Sequence, residues 1–85
     1  MTQEINQQLQ QIDAEMEQAT EEQVQSRAGR LRQRIDTFIN GDPDNDDWNG
    51  LRDEILEAEA EYIESHPRLA AALRSIVAIV DNAGL

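Results

Sequence analysis

Apolar residues recur along this chain at alternating steps of four and three. Ile5, Leu9, Ile12, Met16 and Ala19 form a narrow seam with glutamine and glutamate on the remaining sides, the pattern of a coiled-coil strand. Val24, Ala28, Leu31, Ile35 and Phe38, with Ile39, repeat the same steps, although Gly29 weakens the middle by about 1 kcal/mol relative to alanine. A third seam runs through Trp48, Leu51, Ile55, Ala58 and Tyr62, widened by Leu56 and Ile63. The fourth places Leu69, Leu73, Ile76 and Val80 on one stripe with Ala70 and Val77 beside it. These patterns predict an all-α fold, a small bundle of three or four helices at roughly 3–19, 21–39, 48–64 and 67–82, in a single domain of residues 1–85.

Local signals mark the boundaries. Thr20-Glu21-Glu22-Gln23 matches a capping box, in which the threonine hydroxyl accepts from a backbone N–H of the new helix and Gln23 reaches back. Asn40-Gly41 is a helix stop, and residues 42–47, Asp-Pro-Asp-Asn-Asp-Asp, read as a loop that caps the helix after it. At Ser65-His66-Pro67 the residue before proline resists the α region, while proline is favoured in a first turn, so a sharp corner is expected there with Ser65 as the cap. Asn82-Ala83-Gly84 closes the last helix. That helix is apolar nearly all round, which predicts a central or intersubunit position. Residues 1–19 are the least anchored, and are expected to be partly mobile or exchanged between subunits.

Charge adds a second pattern to the first. The net charge is −11, and all seven cations are arginine. Residues 1–22 carry six acids and no base, residues 23–39 carry Arg27, Arg30, Arg32 and Arg34 against Asp36 alone, and residues 40–65 carry ten acids with only Arg52. In an antiparallel bundle the arginines of the second helix reach carboxylates on both neighbours, or else lie on a solvated face. So acidic a chain repels nucleic-acid phosphates and anionic membranes, and leaves a partner with a basic or apolar surface as the alternative. At 85 residues a monomer is marginal without close packing, so a homo-oligomer, most simply a dimer, is expected. The absence of cysteine fits a reducing compartment, and the start has no basic and apolar signal, so a cytoplasmic location is expected. The apolar run of residues 69–80 is too short to span a bilayer.

Chemistry-bearing residues are few. Asp42, Asp44, Asp46 and Asp53 stand at positions 1, 3, 5 and 12 of a twelve-residue calcium loop, but position 6 is Asp47 where glycine is needed, and Asp53 replaces the bidentate glutamate. They are weak metal candidates beside the reading as a capping turn. His66, the one histidine, has no nucleophile and orienting group in a recognisable pattern, and the carboxylate pairs Glu57 with Glu61 and Asp53 with Glu57 fit a solvated helix. No glycine-rich phosphate loop, nucleophile elbow or Glu-x-x-His pattern occurs, so no catalytic residue and no cofactor is expected. Trp48 and Tyr62 fall on the third seam and are expected in the core, with Trp48 clamping the loop to the bundle.

At Glu64-Ser65-His66-Pro67-Arg68-Leu69, followed by an apolar helix and Asn82-Ala83-Gly84-Leu85, the sequence resembles a family of short bacterial helical proteins catalogued as a domain of unknown function. The resemblance implies a helical fold and a cytoplasmic bacterial origin, and brings no activity or cofactor. The function expected is non-catalytic: protein–protein interaction or assembly, with self-association through Ile5, Leu9, Ile12, Met16, Leu73, Val77 and Val80. The alternative is an acidic nucleic-acid mimic that occupies a basic partner through residues 42–64, and the third reading is calcium binding by the Asp-rich loop.

Overall fold

The computed structural model describes residues 2–41 and 45–83. Four helices follow one another: α1 (Thr2–Gln18), α2 (Glu22–Asn40), α3 (Asn45–Tyr62) and α4 (Pro67–Asn82). They stand at the corners of a square in chain order. α1 adjoins α2 and α4, α3 adjoins α2 and α4, and the pairs α1/α3 and α2/α4 are diagonals. Side-chain contacts fix the directions: Arg27 meets Glu61 while Arg34 meets Glu54, and Arg52 meets Asp81 while Arg74 meets Glu59, so α2, α3 and α4 are successively antiparallel. The α1–α2 link and the α3–α4 corner therefore share one end of the bundle, where the His66 ring nitrogen lies 2.8 Å from Glu21 Oε2.

Each seam becomes one wall of a single core. Ile5, Ile12, Ala28, Ile55, Ala58, Leu73, Ile76 and Val80 are completely enclosed, and no polar or charged residue is buried among the described residues. Enclosure of one leucine, isoleucine or valine side chain is worth about 1.5–3 kcal/mol, and this removal of apolar surface from water drives the assembly of otherwise polar helices. Trp48 packs its ring on Phe38, with centroids 5.4 Å apart, and donates from Nε1 to Asp81 Oδ1 at 3.0 Å. The buried Trp48 thereby ties the start of α3 to the end of α4 and the end of α2.

Several boundaries differ from those the local signals predict. α2 has Glu21, not Thr20, as its N-cap residue, and no side chain caps it. Gln25 instead turns back, donating from Nε2 to the carbonyls of Ala19 at 2.8 Å and Met16 at 3.2 Å, so it satisfies the end of α1. α3 starts at Asn45 rather than Trp48, because Asp46 and Asp47 in its first turn suit the positive end of the helix dipole. It ends at Tyr62, leaving Ile63, Glu64 and Ser65 in the turn before Pro67; His66, not Ser65, is the N-cap residue of α4. Gly41 ends α2, its N–H bonded to Thr37 O at 2.9 Å. The expected stop at Gly84 lies outside the described residues.

α4 is not a central helix. It contributes Leu69, Ala70, Ala72, Leu73, Ile76, Val77 and Val80 to the core, yet Arg68, Ala71, Arg74, Ala78 and Asp81 are exposed, and its backbone adjoins α1 and α3 but not α2. No helix among the described residues is long and apolar enough to cross a membrane.

Candidate interaction surface

The side chains expected to mediate association lie inside this chain's own fold. Ile5, Leu9, Ile12, Leu73, Val77 and Val80 are buried, and Met16 is half-buried against the same core. Of the first six, only Val77 reaches a surface groove; the others are enclosed by the chain's own core. What remains outside among the described residues is a set of charges arranged by α2 and α4, and one uncovered large apolar side chain.

α2 acts as the basic insert between acidic neighbours. Arg32 Nε donates to Asp13 Oδ1 of α1 at 2.8 Å, and Arg27 and Arg34 pair with Glu61 and Glu54 of α3. The hydrogen bond from Arg27 to Glu61 holds the guanidinium pKa above its usual value, with burial acting in the opposite sense and the charge of Glu61 adding to the rise. A groove of about 470 Å³ lies between α2 and α3, lined by residues that include Arg34, Thr37, Phe38 and Leu51. Asp46, Asp53 and Glu57 share one exposed side of α3, continued by Glu64 in the following turn; none is within ion-pair distance of a cation among the described residues, although Glu57 lines a groove with Arg27, Arg30 and Arg34 and its charge acts on Arg27.

α3 and α4 form a different face. Arg52 Nε approaches Asp81 Oδ2 at 3.2 Å and Arg74 approaches Glu59 at 3.7 Å, two contacts seven residues apart on each helix. Between them lies a shallow groove of about 310 Å³ whose lining includes the half-buried Leu56 together with Val77 and Ala78. Ile63 stands at the turn end of this helix pair, 55% exposed, against its expected place in the third seam. Ala60, Ala71 and Ala78 are also exposed.

Of the metal candidates, Asp46 and Asp53 are both helical residues on the exposed surface of α3, separated by seven residues, which is about 10 Å of helix rise. The loop conformation that would turn both toward one cation is absent from 45–53; Asp42 and Asp44 lie outside the described residues. No group of three or more His, Asp or Glu residues is placed to hold a metal among the described residues. His66 is partly enclosed, with Glu21 at its ring nitrogen and the Tyr62 ring edge-on at 6.0 Å, and this arrangement joins two interhelical links.

A family model described as a domain of unknown function (DUF4404) matches residues 2–85. The chain belongs to this family. Its matched span takes in all four helices and the Ser65-His66-Pro67 corner, so the DUF4404 domain here is the complete square bundle rather than one pair of helices. No curated protein and no solved structure matches the chain.

Ile63 and the α3/α4 face were not legible as a surface from periodicity. The usable signal was the corner itself: proline at 67 resists helix at 66, so the α3 seam has to stop short of it.

Proposed function

We propose that this DUF4404 domain is a non-catalytic protein-interaction module that assembles through the face formed by α3 and α4. The exposed Ile63 carries this reading. It is the single large hydrophobic residue left exposed among the described residues, and it stands in the turn that joins α3 to α4, seven residues beyond the half-buried Leu56 that lines the groove between those helices. A cytoplasmic, bacterial setting accords with the lack of cysteine and with the family resemblance. Affinity capture from the native cell with wild type and Ile63→Asp, followed by reconstitution from purified components, tests the proposal. A partner held by wild type and lost with Ile63→Asp supports it; a wild type that retains nothing and stays monomeric at all concentrations overturns it.

The row of exposed carboxylates Asp46, Asp53, Glu57 and Glu64 supports a second reading, an acidic mimic for a basic nucleic-acid-binding partner. Salt-sensitive capture of such a partner, lost in Asp53→Asn/Glu57→Gln, would favour it over assembly.

A further inference from the structure

We infer that the occupant of the α3/α4 face is a second copy of this chain, related by a two-fold axis parallel to the two helices; the inference rests on the interaction reading above and names its partner. A chain of net charge −11 repels its own kind over most of its surface. The α3/α4 face is locally neutral, with Arg52 and Arg74 balanced by Glu59 and Asp81. Two copies can approach there with the least repulsion.

The arrangement is also self-complementary. α3 and α4 are antiparallel, and the contacts Arg52–Asp81 and Glu59–Arg74 show which residues share a level along the bundle. An axis between the helices and parallel to them lays the second copy's α4 over the first copy's α3 without changing those levels. The second copy's Arg74 then faces Glu59, and the second copy's Asp81 faces Arg52. Between those levels the second copy's Ala78 comes over Leu56, and beyond the Glu59–Arg74 level the second copy's Ala71 comes to the turn end that holds Ile63. Symmetry repeats every contact in reverse, as an isologous interface requires. Large side chains meet small ones and each charge meets its opposite, so the existing ion pairs extend into four-membered networks. The molecule measures 34 × 21 × 18 Å, so its broad face is comparable with the roughly 800 Å² that a standard interface buries on each partner.

A charge-reversal mixture tests this directly. Sedimentation velocity over a concentration series is expected to show a wild-type dimer, and association weakened by at least about tenfold in Glu59→Arg alone and in Arg74→Glu alone, where like charges face each other. Mixing the two variants in equal amounts sets position 59 of each copy against an opposite charge at position 74 of the other, at both symmetry-related contacts. The mixture is therefore expected to restore a dimer of one copy of each. A wild type that is monomeric at all concentrations, or a mixture as monomeric as its components, overturns the inference. Should either reversal fail to fold by circular dichroism, Ile63→Asp decides, since that exposed turn position can be changed without opening the core: an undiminished dimer overturns the proposal, and its loss supports it. A monomeric wild type that still binds a different protein through Ile63 would sink the self-pairing alone and leave the interaction reading standing.

Discussion

Trp48 and Asp81 are 33 residues apart in sequence, and the indole Nε1 of one donates to the carboxylate of the other at 3.0 Å. The same carboxylate receives Arg52 through its second oxygen at 3.2 Å. Asp81 is thus the point at which the end of α4 is fastened to the start of α3, and Trp48 supplies both the polar contact and the apolar surface against Phe38. A buried indole whose N–H is satisfied gives a unique register, because sliding α4 by one turn would leave that donor without a partner.

Asp81→Ala is therefore expected to cost about 1–2 kcal/mol in urea denaturation, since it removes one neutral and one charged donor's acceptor. Asp81→Asn should recover part of the loss by keeping an acceptor for Trp48. Trp48 is the chain's one tryptophan, so its fluorescence reports the change without ambiguity. Equal stability of Asp81→Ala and wild type would show that the contact contributes nothing.

Gln25 and Thr20 give opposite expectations for two residues at one link. Gln25 serves two carbonyls at the end of α1, so Gln25→Ala is expected to cost about 1 kcal/mol and to raise amide hydrogen exchange around residues 16–19. Thr20 is exposed and makes no cap to α2, so Thr20→Ala should change stability by less than about 0.5 kcal/mol. The reverse ranking would restore the capping box that the local motif suggests.

The four seams were legible because each follows a strict four-three spacing with polar residues on the other faces, so burial and pattern coincide from Ile5 to Val80. The arginine-rich stretch was legible too: Arg32 reaches α1 while Arg27 and Arg34 reach α3, as antiparallel packing demands. What failed was the central position expected of α4. Its apolar count is inflated by alanine, which is nearly indifferent to exposure, and Ala71 and Ala78 face outward. The cap at Thr20 failed for a related reason, since a four-residue motif holds no information about Gln25 returning across the link. No residue pattern announces that Ile63 is exposed until Pro67 is seen to end the helix before it.

Leu73 and Ile63 separate core from surface. Leu73 is wholly enclosed, and Leu73→Ala is expected to cost about 2–5 kcal/mol, a large share of the roughly 4–13 kcal/mol available to a domain of this size. Ile63→Ser should leave the stability of the monomer within about 0.5 kcal/mol, as for other surface changes. Chemical denaturation at low protein concentration checks both, and a destabilisation by Ile63→Ser as large as that of Leu73→Ala would mean that Ile63 is packed inside after all.

Tyr62 is expected to make the bundle less stable in alkali. Burial raises the phenol above its ordinary pKa of 10.0; Arg27 opposes the shift and Glu61 adds to it. The unfolded chain therefore releases this proton at lower pH than the folded one. With a folded-state pKa above the unfolded value, the contribution is fully present below about pH 10 and is lost as pH rises through the folded-state pKa. Urea midpoints for wild type are expected to fall above about pH 10, and Tyr62→Phe should fall less over the same interval because it has no proton to lose. Tyr62 is also the one tyrosine of the chain, so phenolate absorbance follows the same event and should show a midpoint above 10.0 in the folded protein. A phenol that titrates at or below its ordinary value, or parallel alkaline losses in wild type and Tyr62→Phe, would place the alkaline sensitivity elsewhere.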